Sequence, residues 1–188
     1  MTAPLVGMPL GAATSDYIEL QTQGRPLGGA IVDDVLALAG LGWRVFPVML
    51  CGEKGKKPLI LAWQKAASTD PEQIRRWWIQ FPDAAIGVLT GRAGGLLVID
   101  IDVPDGEESL QALEIEVRQR LVATVSQVTP RGGRHLFFRY PEGCRISRRT
   151  PLAEDLRNLD LLADESFVVV APSRREDGSL YEWEATSS

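Results

Sequence analysis

The stretch Leu96-Leu97-Val98-Ile99-Asp100-Ile101-Asp102-Val103 sets two carboxylates into an otherwise apolar run. Turn signals bound it, Gly94-Gly95 before and Pro104-Asp105-Gly106 after, so the run predicts a buried strand. Successive strand residues point to opposite faces, which puts Asp100 and Asp102 on the same one. Two like charges side by side repel, and burying either alone is costly unless a cation lies between them or one stays protonated. A divalent metal meets that need. An Asp-x-Asp at a strand end also suits a solvated exit into a loop, so the pair needs further residues around it before it specifies chemistry.

The rest of the 188-residue chain is long enough for one domain with a sizeable core, and its 45% hydrophobic and 24% charged residues are those of an ordinary globular protein. No apolar run approaches the length of a membrane span, and no basic segment followed by an apolar core opens the chain, so a cytoplasmic protein with no membrane partner is expected. Cys51 and Cys144 lack any C-x-x-C partner, and with a single histidine they cannot build a structural zinc site. The net charge of −5 argues against a protein that coats nucleic acid indiscriminately, but the charge is segregated. Between Arg131 and Arg149 stand six arginines and one acid, Glu142. Such a stretch attracts phosphates whatever the global sign, although a solvated charged face reads the same way.

In chain order, residues 1–29 are rich in small residues, Gly and Pro, and read as a flexible N-terminal arm with at most a short helix around Tyr17 to Leu20. The folded domain is expected over residues 30–188. Ile31 to Ala39 has the spacing of a short amphipathic helix ended by Gly40-Leu41-Gly42. Trp43 to Met49 reads as a strand in which Pro47 suggests an edge or a bulge. The Gly- and Lys-rich segment from Cys51 to Pro58 reads as a loop without Walker A spacing. Thr69-Asp70-Pro71-Glu72 is a helix start, and Ile74, Trp77, Trp78 and Phe81 form one apolar face before Pro82. Further strands are predicted at Ala85 to Leu89, Thr124 to Thr129, Arg134 to Arg139, Leu159 to Leu162, Phe167 to Ala171 and Tyr181 to Trp183, with a tight turn at Gly91 to Gly95 and a helix marked by Leu110, Leu113, Val117 and Leu121. That order describes an α+β protein in which helices cover a sheet.

Within this frame the polar residues gather meaning. His135, the only histidine, follows Gly132-Gly133 and stands among Arg131 and Arg134 at the start of the strand Leu136-Phe137-Phe138. Glycines let a ligand approach the backbone, and arginine forks recognise phosphate. Asp160 in Leu159-Asp160-Leu161-Leu162 is a third carboxylate in an apolar strand. Three such acids suit two metal ions about 4 Å apart, as used for phosphoryl or nucleotidyl transfer. Asp164 is the weaker choice, because a turn explains it without chemistry.

The ordered series Gly42-Trp43-Arg44-Val45-Phe46-Pro47, Lys57-Pro58, Trp63, Trp77-Trp78, Phe81-Pro82, Val98 to Asp102, Thr129-Pro130-Arg131-Gly132-Gly133-Arg134-His135-Leu136-Phe137-Phe138 and Leu159-Asp160 to Val168-Val169-Val170-Ala171-Pro172-Ser173 resembles the bifunctional DNA primase/polymerase domain of the archaeo-eukaryotic primase superfamily. Such domains occur in plasmid and phage replication proteins. The resemblance spans Ile31 to Trp183 and implies a primase-type α+β fold whose mixed or antiparallel sheet is like that of an RNA-recognition motif, flanked by helices. It implies DNA primase and polymerase activity with Asp100, Asp102 and Asp160 as catalytic ligands of two Mg²⁺ or Mn²⁺ ions. It also implies His135 as a nucleotide-phosphate contact, to which Arg131, Arg134, Gly132, Gly133 and Arg148 are added as nucleotide-binding residues.

Lys56, Lys57, Arg145 and Arg149 are then expected to hold template DNA. The implied partners are a single-stranded DNA template and primer, nucleoside triphosphates, and a helicase domain or protein. Two departures stand out: Leu162 replaces an arginine often found after the third acid, and Glu165-Ser166 replaces a Gly-Gly turn. Two other classes fit the same acids: a metal-dependent nuclease or other Asp-x-Asp nucleotide-using transferase, and a catalytically silent nucleic-acid-binding module.

Overall fold

The structure, a computed structural model, describes residues 8–22, 31–52 and 55–184. A two-residue strand β1 (Met8–Pro9) leads into α1 (Ala12–Thr22), and α2 (Ile31–Gly40) precedes the hairpin of β2 (Val45–Cys51) and β3 (Gly55–Pro58). The short α3 (Trp63–Ala66) and the longer α4 (Pro71–Gln80) come before β4 (Ala85–Leu89). A single helical turn α5 (Gly91–Gly94) leads into β5 (Leu96–Ile101), followed by α6 (Gly106–Val117) and the hairpin of β6 (Ser126–Val128) and β7 (Arg134–Arg139). The chain then adds β8 (Leu159–Leu162), β9 (Phe167–Val170) and β10 (Glu182–Trp183).

Two sheets result. The larger has the order β10-β6-β7-β5-β8 with β1 beside β7, and the smaller has the order β3-β2-β4-β9. Every pairing between these strands is antiparallel. The α+β class expected from the sequence is therefore present, with its sheets antiparallel rather than mixed.

Alternation along β5 explains how the layers meet. Leu96 and Val98 join Phe137 and Leu162 in a core shared with Val45, Ile86 and Val168 of the smaller sheet. Leu97, Ile99 and Ile101 face the other way, into a second core with Leu110 of α6, Leu136, Phe138, Leu156 and Leu161. Both faces of β5 are thus apolar for most of its length. Asp100 and Asp102 continue the face of Leu96 and Val98, at the end where that face runs into open space between the sheets.

Several expectations from sequence change here. Part of the presumed arm is docked: Met8 and Pro9 pair with Arg139 and Phe138, and Ile18 of α1 is fully buried. Residues 1–7 and 23–29 of that arm lie outside the described residues. The Cys51 to Pro58 segment is not wholly a loop, since Gly55–Pro58 forms β3 against β2. β2 is consequently not an edge strand. Pro47 is tolerated because its carbonyl, and with it the missing N–H, faces Leu59 just past the end of β3. α4 begins as its sequence predicts, with the Asp70 side chain accepting from the Glu72 N–H at 3.1 Å and Pro71 in the first turn.

Candidate active site

Four strands of the larger sheet carry one row of polar side chains. Gln127 on β6 is the cross-strand partner of His135 on β7, His135 of Asp100 on β5, and Asp100 of Asp160 on β8. Directly opposed residues in an antiparallel ladder have Cβ atoms about 5 Å apart. The fold therefore brings three residues that are far apart in sequence to within side-chain reach. Asp100 occupies the middle of the row, between the histidine and the other acid.

The row borders a cleft of about 500 Å³ between the two sheets. Its larger-sheet wall carries Asp100, Asp102, His135, Asp160 and Leu162, and Thr129, Pro130, Arg131 and Arg148 complete that side. The opposite wall holds Lys56 of β3, Phe167 of β9 and Trp63 of α3. Trp63 stacks on Phe46 with ring centroids 5.3 Å apart and meets Phe167 edge-on at 5.0 Å. A rigid aromatic wall thus faces an acidic one. Arg175 and Tyr181 close the floor.

Burial pushes the Asp100 carboxyl up, but the His135 ring and the Lys56 ammonium more than offset this and hold it below the usual aspartate range. Asp160 goes the other way. Burial raises it, and the Asp100 and Asp102 charges raise it further, against weaker help from Thr150 and Arg148. The repulsion inherent in this acid cluster is therefore borne by Asp160. His135 Nε2 lies 3.2 Å from Asp100 Oδ1, yet the ring N–H is not aimed along that line, and Oδ1 is buried without a directed hydrogen bond. Thr129 Oγ1 and Arg175 Nε, also in the cleft wall, are likewise buried without a partner. Buried polar groups are nearly always satisfied, so the cleft wall holds three atoms with unused hydrogen-bonding capacity.

Among the described residues no three His, Cys, Asp or Glu side chains are gathered tightly enough to form a ready metal cage. The three acids nonetheless offer only oxygen donors, with the His135 ring beside them. Mg²⁺ suits such a site, because it keeps several waters and is bound through one or two carboxylates plus substrate phosphates rather than by an all-protein cage.

The other residues singled out from sequence separate clearly. Arg134 does not face the cleft: strand alternation turns it away from His135, and its guanidinium pairs with Glu184 at 3.0 Å and Glu107 at 3.1 Å. Neither Gly132 nor Gly133 lines the cleft. Gly133 is required by the fold, since a Cβ there would lie 2.5 Å from the Ile101 carbonyl oxygen and 3.3 Å from Asp102 Cα. Gly132 adopts a positive φ of 83° in the turn. Lys56, assigned to DNA from sequence, lies in the cleft, whereas Lys57, Arg145 and Arg149 are exposed outside it. Asp164 is structural, accepting from the Arg92 N–H at 2.7 Å and the Tyr140 hydroxyl at 3.1 Å.

Arg175 escaped the sequence reading because it falls just beyond the motif series, which ends at Ser173. It is 9% exposed, donates to the Gly52 carbonyl at 2.6 Å, and lines both the main cleft and an adjoining cavity of about 480 Å³. Gln127 also escaped, although the hairpin offered a signal. Counting back symmetrically from the Thr129 to Gly133 closure places Gln127 opposite His135.

The sequence matches the family described as bifunctional DNA primase/polymerase, N-terminal, over residues 35–187. No curated protein matches the chain. No helix among the described residues is long and apolar enough to cross a membrane.

Proposed function

The chain belongs to the bifunctional DNA primase/polymerase family, a group of nucleotidyltransferase-type enzymes, and from this we propose that it extends primers by template-directed nucleotidyl transfer in plasmid or phage DNA replication. The observation that carries the proposal is the row Gln127, His135, Asp100, Asp160 along a cleft that also contains cations and an aromatic wall. Asp100, Asp102 and Asp160 would hold Mg²⁺ or Mn²⁺. Bound there, the metal would lower the pKa of the primer 3′-hydroxyl and offset the charge of the incoming triphosphate.

The protein's own groups do the remaining work. Arg131, Arg148, Arg175 and Lys56 reach the cleft as cations and bind the triphosphate, placing charge where pyrophosphate departs. Arg175 stands in for the arginine that Leu162 replaces. His135, with Nε2 beside Asp100 Oδ1, steadies that carboxylate and offers a donor to the phosphates. Trp63 gives a flat apolar face for a base, held by its stacking on Phe46. The exposed Lys57, Arg145 and Arg149 bind template phosphates outside the cleft, contacts that weaken with salt.

The test is incorporation of labelled nucleotides by the full chain on primed single-stranded DNA with Mg²⁺ or Mn²⁺. Incorporation that follows the template base and stops with chelator is expected. Degradation of the strand without incorporation would replace the proposal with a nuclease.

A further inference from the structure

Gln127 has no exposed surface, and it lies behind the cleft wall rather than in it. Its Oε1 accepts from the Ala171 N–H at 3.0 Å and its Nε2 donates to the Val169 carbonyl at 2.8 Å. A backbone N–H only donates and a carbonyl only accepts, so the amide can take just one of its two orientations. The remaining hydrogen on Nε2 is directed at His135 Nδ1, 2.6 Å away. An N–H facing a ring nitrogen requires a lone pair there. The imidazole proton consequently resides on Nε2, the nitrogen 3.2 Å from Asp100 Oδ1.

We propose that Gln127 is a positioning residue that locks His135 in the Nε2–H tautomer, so that the ring keeps its proton on the nitrogen beside Asp100, on the cleft side. The opposite tautomer would set two donors against each other at Nδ1 and two acceptors against each other at Nε2. Among the described residues Gln127 is the side chain found within hydrogen-bond distance of Nδ1, and the neighbouring rings, Phe137 and Tyr181, each have centroids 6.2 Å from the imidazole. Because the two backbone partners of Gln127 are Val169 and Ala171, at the end of β9, the smaller sheet fixes the proton position of a histidine on the larger one. Partners that orient a functional histidine in this way are worth about 10- to 100-fold in activity.

The catalytic half of this proposal rests on the reading given under Proposed function, while the tautomer itself does not. His135 is the only histidine, so long-range proton–nitrogen NMR on the full chain labelled at histidine nitrogen reports one imidazole. In mildly alkaline buffer the wild type is expected to show bare Nδ1 and protonated Nε2. In Gln127→Glu the second carboxyl oxygen faces Nδ1 with a lone pair, whether or not it shares a proton with the Val169 carbonyl, and Nδ1 becomes protonated. Gln127→Met keeps the volume and removes the donor, releasing the tautomer and giving a second variant should the first not fold.

Primer extension by both variants is expected to fall about 10- to 100-fold in kcat/KM. A protonated Nδ1 in the wild type, or a bare one in Gln127→Glu, overturns the tautomer assignment. A changed tautomer with undiminished extension overturns the positioning role. A wild-type chain that extends no primer removes the proposed function and that role with it, and the nitrogen spectra still decide the tautomer.

Discussion

Asp100 and Asp160 stand opposite each other on β5 and β8, and their surroundings shift them in opposite directions. The folded state holds the Asp160 proton more tightly than the unfolded chain does. Stability from that group is therefore full below the ordinary aspartate range and is lost as pH rises through the raised value. For Asp100 the sign reverses, with stability present above the ordinary range and lost as pH falls through the depressed value. In chelator at neutral pH, Asp160→Asn should raise the melting temperature and Asp100→Asn should lower it, and both differences should shrink toward acid. Thermal melts of the two variants between neutral and strongly acidic pH check this, and equal shifts of one sign would show that the acids share the repulsion evenly. Not all of this was legible in the sequence. The spacing of Asp100 and Asp102 revealed a shared face, but which acid bears the strain depends on His135 and Lys56, which reach Asp100 through sheet pairing and across the cleft. Arg134 was legible as a neighbour of His135, but its place next to it in the strand turns its side chain to the opposite face, where it pairs with Glu184.

At the scale of elements, the strands that carry the row of His135, Asp100 and Asp160 were the easiest to read. β7 and β8 fall where the sequence puts them, and β5 does so within its closing residues, since apolar runs between turn signals have few other ways to be buried. β3 was hidden because Gly55-Lys56-Lys57-Pro58 has no apolar alternation and gains its structure by pairing with β2. α1 was legible only around Tyr17 to Leu20, because it buries only Thr14 and Ile18, too few contacts to leave a longer periodic signal. Ser173 shows how the smaller sheet is tied together: it has no exposed surface, and its Oγ accepts from the Ile86 N–H at 2.9 Å. Ser173→Ala leaves that buried donor unpaired and should cost about 1–3 kcal/mol. Denaturant unfolding measures this, and a change within a few tenths would mean that another acceptor takes the bond. Because β9 also carries the backbone groups that orient Gln127, damage there is expected to reach His135.

For the whole molecule, the division of labour follows from two sheets that share one apolar core and together line one cleft. The shared apolar core fixes their relative position, and the acidic row ends where that core stops. Within the net charge of −5, Lys56, Arg131, Arg148 and Arg175 are gathered at the cleft beside Asp100, Asp102, Asp160 and Glu165, while acids such as Glu107, Glu108, Glu114 and Glu116 lie on α6, outside its lining. The family and its acids were within reach of the sequence, which supplied an ordered set of motifs. The Arg175 floor and the Gln127 lock required the three-dimensional arrangement, since neither sits in a run with a pattern of its own.

The central claim is that Asp100 lies at the centre of a nucleotidyl-transfer site, and its most direct test is the rate of templated primer extension by wild type, Asp100→Asn and Arg134→Ala, each verified as folded by its melt. The account predicts metal-dependent extension by the wild type, a loss of at least about 1000-fold in Asp100→Asn, since metal-held charge supplies several kcal/mol at the transition state, and a rate close to wild type in Arg134→Ala. Extension by Asp100→Asn at the wild-type rate would contradict it.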